Sequence, residues 1–216
     1  CGAWVGFKLI PDTVDASAPI AADPWHPTIA EPAFARPEGG LNLRIPDFWH
    51  QQEPRHRAYK LEAARAFGRA NDLNRVTLPS PNPRYGIVAT GKAWTDVRQA
   101  LFDLGLDDRT AAQVGITVLK LGMPYPLDEA TVQAFGAGLE EILVVEEKVD
   151  LTESQVRNAL YALPDSRRPR VVGRTDESGA PLLPTWPELT PESVAVAIAK
   201  RIAGWHETDR TRDRIA

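Results

Sequence analysis

The chain has 216 residues and a net charge of −4, and its 43% hydrophobic and 25% charged residues are ordinary values for a globular protein. The acidic balance argues against general nucleic-acid binding, and the apolar runs are too short to predict a membrane span. A single cysteine excludes an internal disulfide and, with four scattered histidines, a cysteine-rich metal site.

The first ten residues are predicted to form a single strand rather than a complete domain. Residues 3–10 (AWVGFKLI) form an apolar run that predicts a buried strand. Position 1 is Cys rather than Met, which indicates a chain that is processed or cut from a longer one. We therefore interpret residues 1–10 as the terminal strand of a truncated preceding domain.

Proline dominates the next part of the chain. Eight prolines lie between Pro11 and Pro54, and each one fixes φ and removes a backbone donor. Residues 11–84 are therefore predicted to be a proline-rich connector, extended or irregular over 11–48. Alanines recurring at helical spacing predict one helix at about 53–73.

From residue 85 onward, short apolar runs alternate with segments of helical periodicity. The predicted strands are Tyr85–Thr90, Ile116–Leu121, Ile142–Val145 and Val171–Val172. The last helix begins at Thr190-Pro191-Glu192, where a threonine cap precedes a proline at the first helical position. The alternation predicts a three-layer α/β/α domain with a mostly parallel sheet over 85–205, and a polar, frayed tail over 206–216.

The end of the first predicted strand carries the pattern GxxxxGK over Gly86–Lys92. We do not predict a nucleotide-binding P-loop, because Ala93 stands where a hydroxyl should bind magnesium and residues 87–89 are strand-like. A helix that begins with a lysine at the carboxyl edge of a sheet can still hold an anion. The candidate ligand contacts are Thr90, Gly91 and Lys92. A tight turn with a solvated lysine is the alternative interpretation.

The second predicted strand ends in the loop Gly122–Pro126, in which two prolines flank Tyr125. A rigid loop of this kind could present a side chain that stacks on a ligand or a protein partner. The candidate contacts are Gly122, Met123 and Tyr125. Alternatively, these side chains cover the end of the core.

The third predicted strand ends in the carboxylates of Glu146 and Glu147. Carboxylates that follow a buried strand are common as ligand contacts or acid–base groups, so both residues are candidates. Adjacent strand residues point to opposite faces, which argues against a paired dyad. For at least one of the two we expect a structural role, bonding nearby backbone.

Four blocks of sequence carry a resemblance to a known family. They are Gly86–Leu101 (GIVATGKAWTDVRQAL), Val118–Leu127 (VLKLGMPYPL), Gly138–Lys148 (GLEEILVVEEK) and Pro169–Pro184 (PRVVGRTDESGAPLLP). In this order they resemble segments of the large bacterial indolepyruvate ferredoxin oxidoreductases, which are thiamine-diphosphate-dependent 2-oxoacid oxidoreductases. Residues 1–8 (CGAWVGFK) resemble the closing strand of that family's pyrimidine-binding domain.

The resemblance implies that residues 85–205 form a transketolase C-terminal-like domain. Such a domain has a five-stranded sheet with one antiparallel strand, so a fifth strand is expected, for which Arg75–Leu78 is a candidate. The implied parent enzyme oxidatively decarboxylates aryl 2-oxoacids such as indolepyruvate, with coenzyme A accepting the acyl group and ferredoxin the electrons. Its implied cofactors are thiamine diphosphate with magnesium and iron–sulfur clusters.

We assign none of these cofactors to this chain. One cysteine cannot hold a four-cysteine cluster, and the sequence contains no diphosphate and metal motif. No catalytic residue and no metal ligand is therefore assigned, and we expect the isolated chain to be inactive. The implied role is structural, in contact with other domains of a cytoplasmic, homo-oligomeric parent enzyme.

Two alternative functions remain open from the sequence. The chain could be a self-contained anion- or nucleotide-binding module that uses the edge at Thr90–Lys92. It could also be a pure assembly module whose proline-rich arm wraps a protein partner. Neither alternative requires a nucleic acid or a membrane.

Overall fold

A computed structural model describes residues 17, 19, 28–42, 45 and 47–215. The strand predicted for residues 3–10 lies outside this described part. The chain divides into two compact units, Cys1–Asp72 and Leu73–Ala216. The second unit carries the sheet and every candidate site residue named above.

The first unit contains an interrupted helix where the sequence predicts one helix at about 53–73. Helix α1 spans Trp49–Arg55, a π-helical segment spans His56–Lys60, and helix α2 spans Leu61–Ala70. Pro54 lies inside α1 without an N–H to donate, and the regular pattern changes to the π-helical one just after it. Residues 28–42, the longest described part of the segment predicted to be irregular, contain no helix or strand.

In the described part of the second unit, five strands form one sheet in the order β1-β3-β2-β4-β5. The strands are β1 Asn74–Leu78, β2 Tyr85–Thr90, β3 Ile116–Leu121, β4 Glu141–Val145 and β5 Arg170–Val172. Strands β2 to β5 run parallel, whereas β1 pairs antiparallel with β3. This confirms the mostly parallel sheet, and β1 is the fifth strand that the resemblance implies. Because β1 belongs to the sheet, the unit begins at Leu73 rather than at residue 85.

Helices cover both faces of the sheet and complete the predicted three layers. They are α3 Gly91–Asp103, α4 Asp108–Val114, α5 Glu129–Gly136, α6 Leu151–Tyr161, α7 Pro191–Ile202 and α8 Asp209–Ile215. Alternate strand residues enter two cores: Ile87 and Leu143 pack on the side of α3 and α7, and Val88 and Val144 on the side of α5 and α6. This alternation explains why the inner strands β2, β3 and β4 are buried along almost their whole length.

In the second unit, two helices differ from the sequence-based prediction. Helix α4 was not predicted, and its N-cap is Asp107, whose side chain accepts a hydrogen bond of 2.7 Å from the backbone N–H of Thr110. The tail predicted to be frayed over 206–216 instead contains α8. That helix begins with the backbone N–H of Thr208 bonded to Thr211 Oγ1 at 2.7 Å, and Thr211 is buried. Local capping and packing against α7 therefore order a segment whose polar composition suggested fraying.

Candidate functional site

The strands β3, β2, β4 and β5 are neighbours and run parallel, so their carboxyl ends lie together at one edge of the sheet. The candidate segments follow three of them: Gly122–Tyr125 after β3, Thr90–Lys92 after β2, and Glu146–Glu147 after β4. Open α/β sheets bind ligands at this edge. The fold thus brings all the predicted candidate residues to one edge of the domain, which we call the carboxyl edge.

Thr90 and Gly91 shape the junction between β2 and α3. The Thr90 hydroxyl donates a hydrogen bond of 2.8 Å to the carbonyl oxygen of Leu121, which ties the end of β2 to the end of β3. Gly91 has a φ of +51°, in the left-handed region that favours glycine. Strand β2 includes residues 87–89, so these residues do not form the phosphate loop that the GxxxxGK pattern would require.

Lys92 is paired within the protein. Its Nζ donates to Asp96 Oδ2 at 2.9 Å and to the carbonyl oxygen of Leu189 at 2.8 Å, and lies 3.6 Å from Glu188 Oε1. Burial disfavours the charged ammonium, but the hydrogen bond to Asp96 and the charges of Asp96, Glu188 and Glu147 outweigh it and raise the pKa of Lys92. Lys92 thus links α3 to the segment before α7. An anion bound to Lys92 would be repelled by the neighbouring carboxylates.

The loop Gly122–Pro126 is held at both of its sides. The backbone N–H of Gly122 donates to the carbonyl oxygen of Leu73 at 2.9 Å, and that of Met123 donates to Asn74 Oδ1 at 3.0 Å. On the other side, Gln155 of α6 donates to the carbonyl oxygen of Pro124 at 3.0 Å. The loop is thereby fixed between β1 and α6, while Tyr125 is 61% exposed.

Glu146 is buried and caps helix α6. Its carboxylate accepts hydrogen bonds of 2.7 and 2.8 Å from the backbone N–H groups of Thr152 and Glu153. These are free donors of the first helical turn, and a negative charge there also interacts favourably with the helix dipole. This confirms the expectation that one of the two carboxylates bonds nearby backbone. Glu147 is half-buried.

Replacing Glu146 by alanine is expected to lower the free energy of unfolding by about 0.5–2 kcal/mol, the range for a lost helix cap. Glu147→Ala is the matched control, because the Glu147 side chain makes no hydrogen bond or ion pair to the residues that the structure describes. We expect that control to stay within about 0.5 kcal/mol of the unchanged chain. Urea denaturation of both variants makes the comparison, and equal losses would show that Glu146 is not a cap.

The sequence-based candidates omit a groove that adjoins the same edge. It has a volume of about 520 Å³, and its lining residues are Glu153, Arg174, Thr175, Pro181, Leu183, Pro184, Thr185 and Trp186. Glu153 is buried, and its carboxylate accepts from Arg157 Nη2 at 2.7 Å and from the backbone N–H of Arg174 at 3.1 Å. The sequence could have indicated Arg174 as a site residue, because it follows the predicted strand that becomes β5. The role of Trp186 depends on how the chain returns from β5 to α7, which no local pattern shows.

The described residues do not fit the cofactors implied for the parent enzyme. Among them, no group of three His, Cys, Asp or Glu side chains could hold a metal ion. At the carboxyl edge, Lys92 has carboxylates around it and Glu146 is buried on a helix terminus, so neither side chain is arranged to bind a metal–diphosphate group. Within the same described part, no helix is long and apolar enough to cross a membrane.

A family model described as "Indolepyruvate oxidoreductase domain" matches residues 75–216. The chain belongs to the indolepyruvate oxidoreductase family. Two relatives within this family are named "Indolepyruvate oxidoreductase subunit IorA". The one from Pyrococcus abyssi is 31% identical over 159 residues, covering 72% of this chain and 22% of the relative. The one from Methanothermobacter marburgensis is 37% identical over 97 residues, covering 45% of this chain and 14% of the relative.

This member of the indolepyruvate oxidoreductase family thus spans less than a quarter of the length of either relative. Among solved structures, it is similar to 2-oxoglutarate:ferredoxin oxidoreductase from Magnetococcus marinus, a structure with 2-oxoglutarate, coenzyme A and succinyl-CoA bound. The TM-score is 0.43 and the identity 19%, over 86% of this chain and 29% of that one. The family match includes the whole described sheet except the first residue of β1.

Proposed function

We propose that this chain is the transketolase C-terminal-like domain of a 2-oxoacid oxidoreductase that acts on indolepyruvate, and that its own role is structural. In that parent enzyme the aryl 2-oxoacid loses carbon dioxide, coenzyme A accepts the acyl group, and ferredoxin accepts the electrons. Thiamine diphosphate with magnesium and the iron–sulfur clusters would be held by other segments. Family membership and the likeness to IorA subunits support the reaction class.

The structural role rests on the pairing of polar side chains at the carboxyl edge. Thr90 joins two strands, Lys92 joins α3 to the segment before α7, and Glu146 caps α6. A catalytic or cofactor-binding edge needs polar groups that face the ligand, but here each of these groups is bonded to other parts of the protein. The edge is built as a rigid support, so the partners of the domain would be the other domains of the parent and, in an oligomer, further copies of it.

Titration calorimetry of the 216-residue chain tests this proposal. We expect no heat of binding with thiamine diphosphate and magnesium, and no turnover with indolepyruvate, coenzyme A and oxidised ferredoxin. The native polypeptide that contains these residues serves as the positive control. Micromolar binding of the cofactor to the chain alone would refute the structural role, and micromolar binding of inorganic phosphate would instead support an anion site at Lys92.

A further inference from the structure

The start of helix α6 lies at the centre of a continuous surface at the carboxyl edge. On one side, Gln155 of this helix bonds the carbonyl oxygen of Pro124 in the loop after β3, at 3.0 Å. On the other side, Arg174 Nη2 lies 3.2 Å from Asp150 Oδ1, just before the helix. Hydrogen bonds and ion pairs thus connect the loops that follow β3, β4 and β5, and hold this surface in a fixed shape.

Large apolar side chains project from each of these connected loops. The exposed fractions are 61% for Tyr125, 64% for Val149, 52% for Leu151 and 83% for Trp186. Single exposed apolar residues are ordinary on a protein surface, whereas several on one continuous, rigid surface are typical of a protein interface. Aromatic residues such as Tyr and Trp are enriched at such interfaces.

The groove beside Trp186 indicates what kind of group would bind there. Leu183, Pro181 and Pro184 give the groove of about 520 Å³ an apolar part. The charged groups of its lining are already paired, Glu153 with Arg157 and Arg174 with Asp150. A free ion would gain little at such a site, but an aliphatic or aromatic side chain would bury apolar surface.

We propose that a neighbouring domain of the same oxidoreductase packs on this surface. The docking surface consists of Tyr125, Val149, Leu151 and Trp186 with the groove beside it, and an apolar side chain of the neighbouring domain fills the groove. The occupant follows from length: the IorA relatives that this chain matches extend far beyond it, since the chain covers 22% and 14% of them. This inference rests on the proposed structural role and adds to it the face through which that role is exerted.

Hydrogen–deuterium exchange of the chain alone and of the native polypeptide that contains it tests the docking surface. In the native polypeptide we expect the backbone amides of residues 123–127, 147–153 and 183–187 to exchange more slowly than in the chain alone, by about tenfold or more. The matched control is the segment 98–104, which carries Phe102, an equally exposed aromatic (71%) on α3. Its exchange should be the same in both samples.

Substitutions in the native polypeptide give a second readout. Trp186→Asp and Leu151→Asp are expected to restore fast exchange at the docking surface, whereas Phe102→Asp leaves its protection unchanged. All three side chains are exposed, so each isolated variant chain should keep its melting temperature.

Three outcomes would overturn the docking surface. They are equal exchange in the chain and the native polypeptide, protection that depends on the concentration of the chain alone, and loss of protection with Phe102→Asp only. The second would assign the surface to another copy of the chain. None of them affects the calorimetric test of the structural role, which fails if the chain itself binds cofactor or phosphate or turns over.

Discussion

Replacing Arg201 by methionine is expected to lower the free energy of unfolding by about 3–5 kcal/mol, because it leaves the carboxylate of Glu141 buried without its main partner. Arg201 Nε and Nη2 donate to the two oxygens of Glu141 at 2.7 and 2.5 Å, and the arginine side chain is only 15% exposed. The hydrogen bond to Glu141 raises the pKa of Arg201 above its ordinary value, so the guanidinium is charged at neutral pH. Arg170 Nη1 lies 3.4 Å from Glu141 Oε2 and would still pair with this carboxylate, so the expected loss is about 3 kcal/mol.

Two companion variants separate burial from charge pairing. Arg84 also binds a glutamate through two nitrogens, but both side chains of the Arg84–Glu140 pair are exposed, so Arg84→Met should cost far less. The double variant Glu141→Leu with Arg201→Met removes both charges and should recover much of the loss. Urea denaturation of the 216-residue chain measures all three. Equal losses for Arg201→Met and Arg84→Met would show that burial of Glu141 does not set the effect.

The Arg201 network matters for the docking surface because it anchors the segment between β5 and α7. Arg201 Nη1 lies 2.9 Å from Glu177 Oε2, and Arg170 lies 3.2 Å from the other oxygen of Glu177. Glu177 belongs to the turn that leads to Pro181 and the groove. Glu141 and Arg170 are the first residues of β4 and β5, so this ion-pair network lies at the amino ends of the strands. It therefore helps to position the segment that carries Trp186 to the carboxyl edge.

The sequence predicted the inner strands and the last helix well because their signals are local. Apart from Lys120, strands β2 and β3 consist of apolar and β-branched residues, and the predicted bounds Tyr85–Thr90 and Ile116–Leu121 are confirmed. The cap at Thr190 is also confirmed: its hydroxyl accepts from the backbone N–H of Ser193 at 3.3 Å, and Pro191 is the first residue of α7. Strand β1 is harder to predict, since it is a half-exposed edge strand with a mixed pattern.

The candidate site could be predicted only in part, because side-chain roles depend on distant partners. Topology was enough to place the candidate residues at one edge. The pairing of Lys92, however, depends on the carbonyl oxygen of Leu189, which is 97 residues away in the sequence. The cap formed by Glu146 could be predicted only if it were known that the start of α6 lies beside the end of β4. Residues that look free in a sequence can thus be engaged once the chain has folded.

Replacing Gly122 by alanine is expected to lower the free energy of unfolding by about 2–3 kcal/mol, toward the upper end of the usual cost of overpacking. An added Cβ would lie 2.4 Å from the carbonyl oxygen of Leu73, and a backbone atom cannot move aside as a flexible side chain can. The same oxygen accepts the hydrogen bond from the backbone N–H of Gly122. The substitution would therefore also weaken the hydrogen bond that joins the end of β3 to the residue before β1. Gly122 therefore allows the close approach of the two backbones at the end of β3.

The matched control is Gly204→Ala, since no atom lies within 4 Å of the Cβ that would be added there. That variant should be neutral or more stable by up to about 1 kcal/mol, because alanine restricts the unfolded chain more than glycine does. Urea denaturation of both variants decides the outcome. If the two alanines had the same effect, the contact between Gly122 and Leu73 would not hold the loop in place. A loss confined to Gly122→Ala would show that the loop carrying Tyr125 is fixed to the sheet by its backbone, as a rigid docking surface requires.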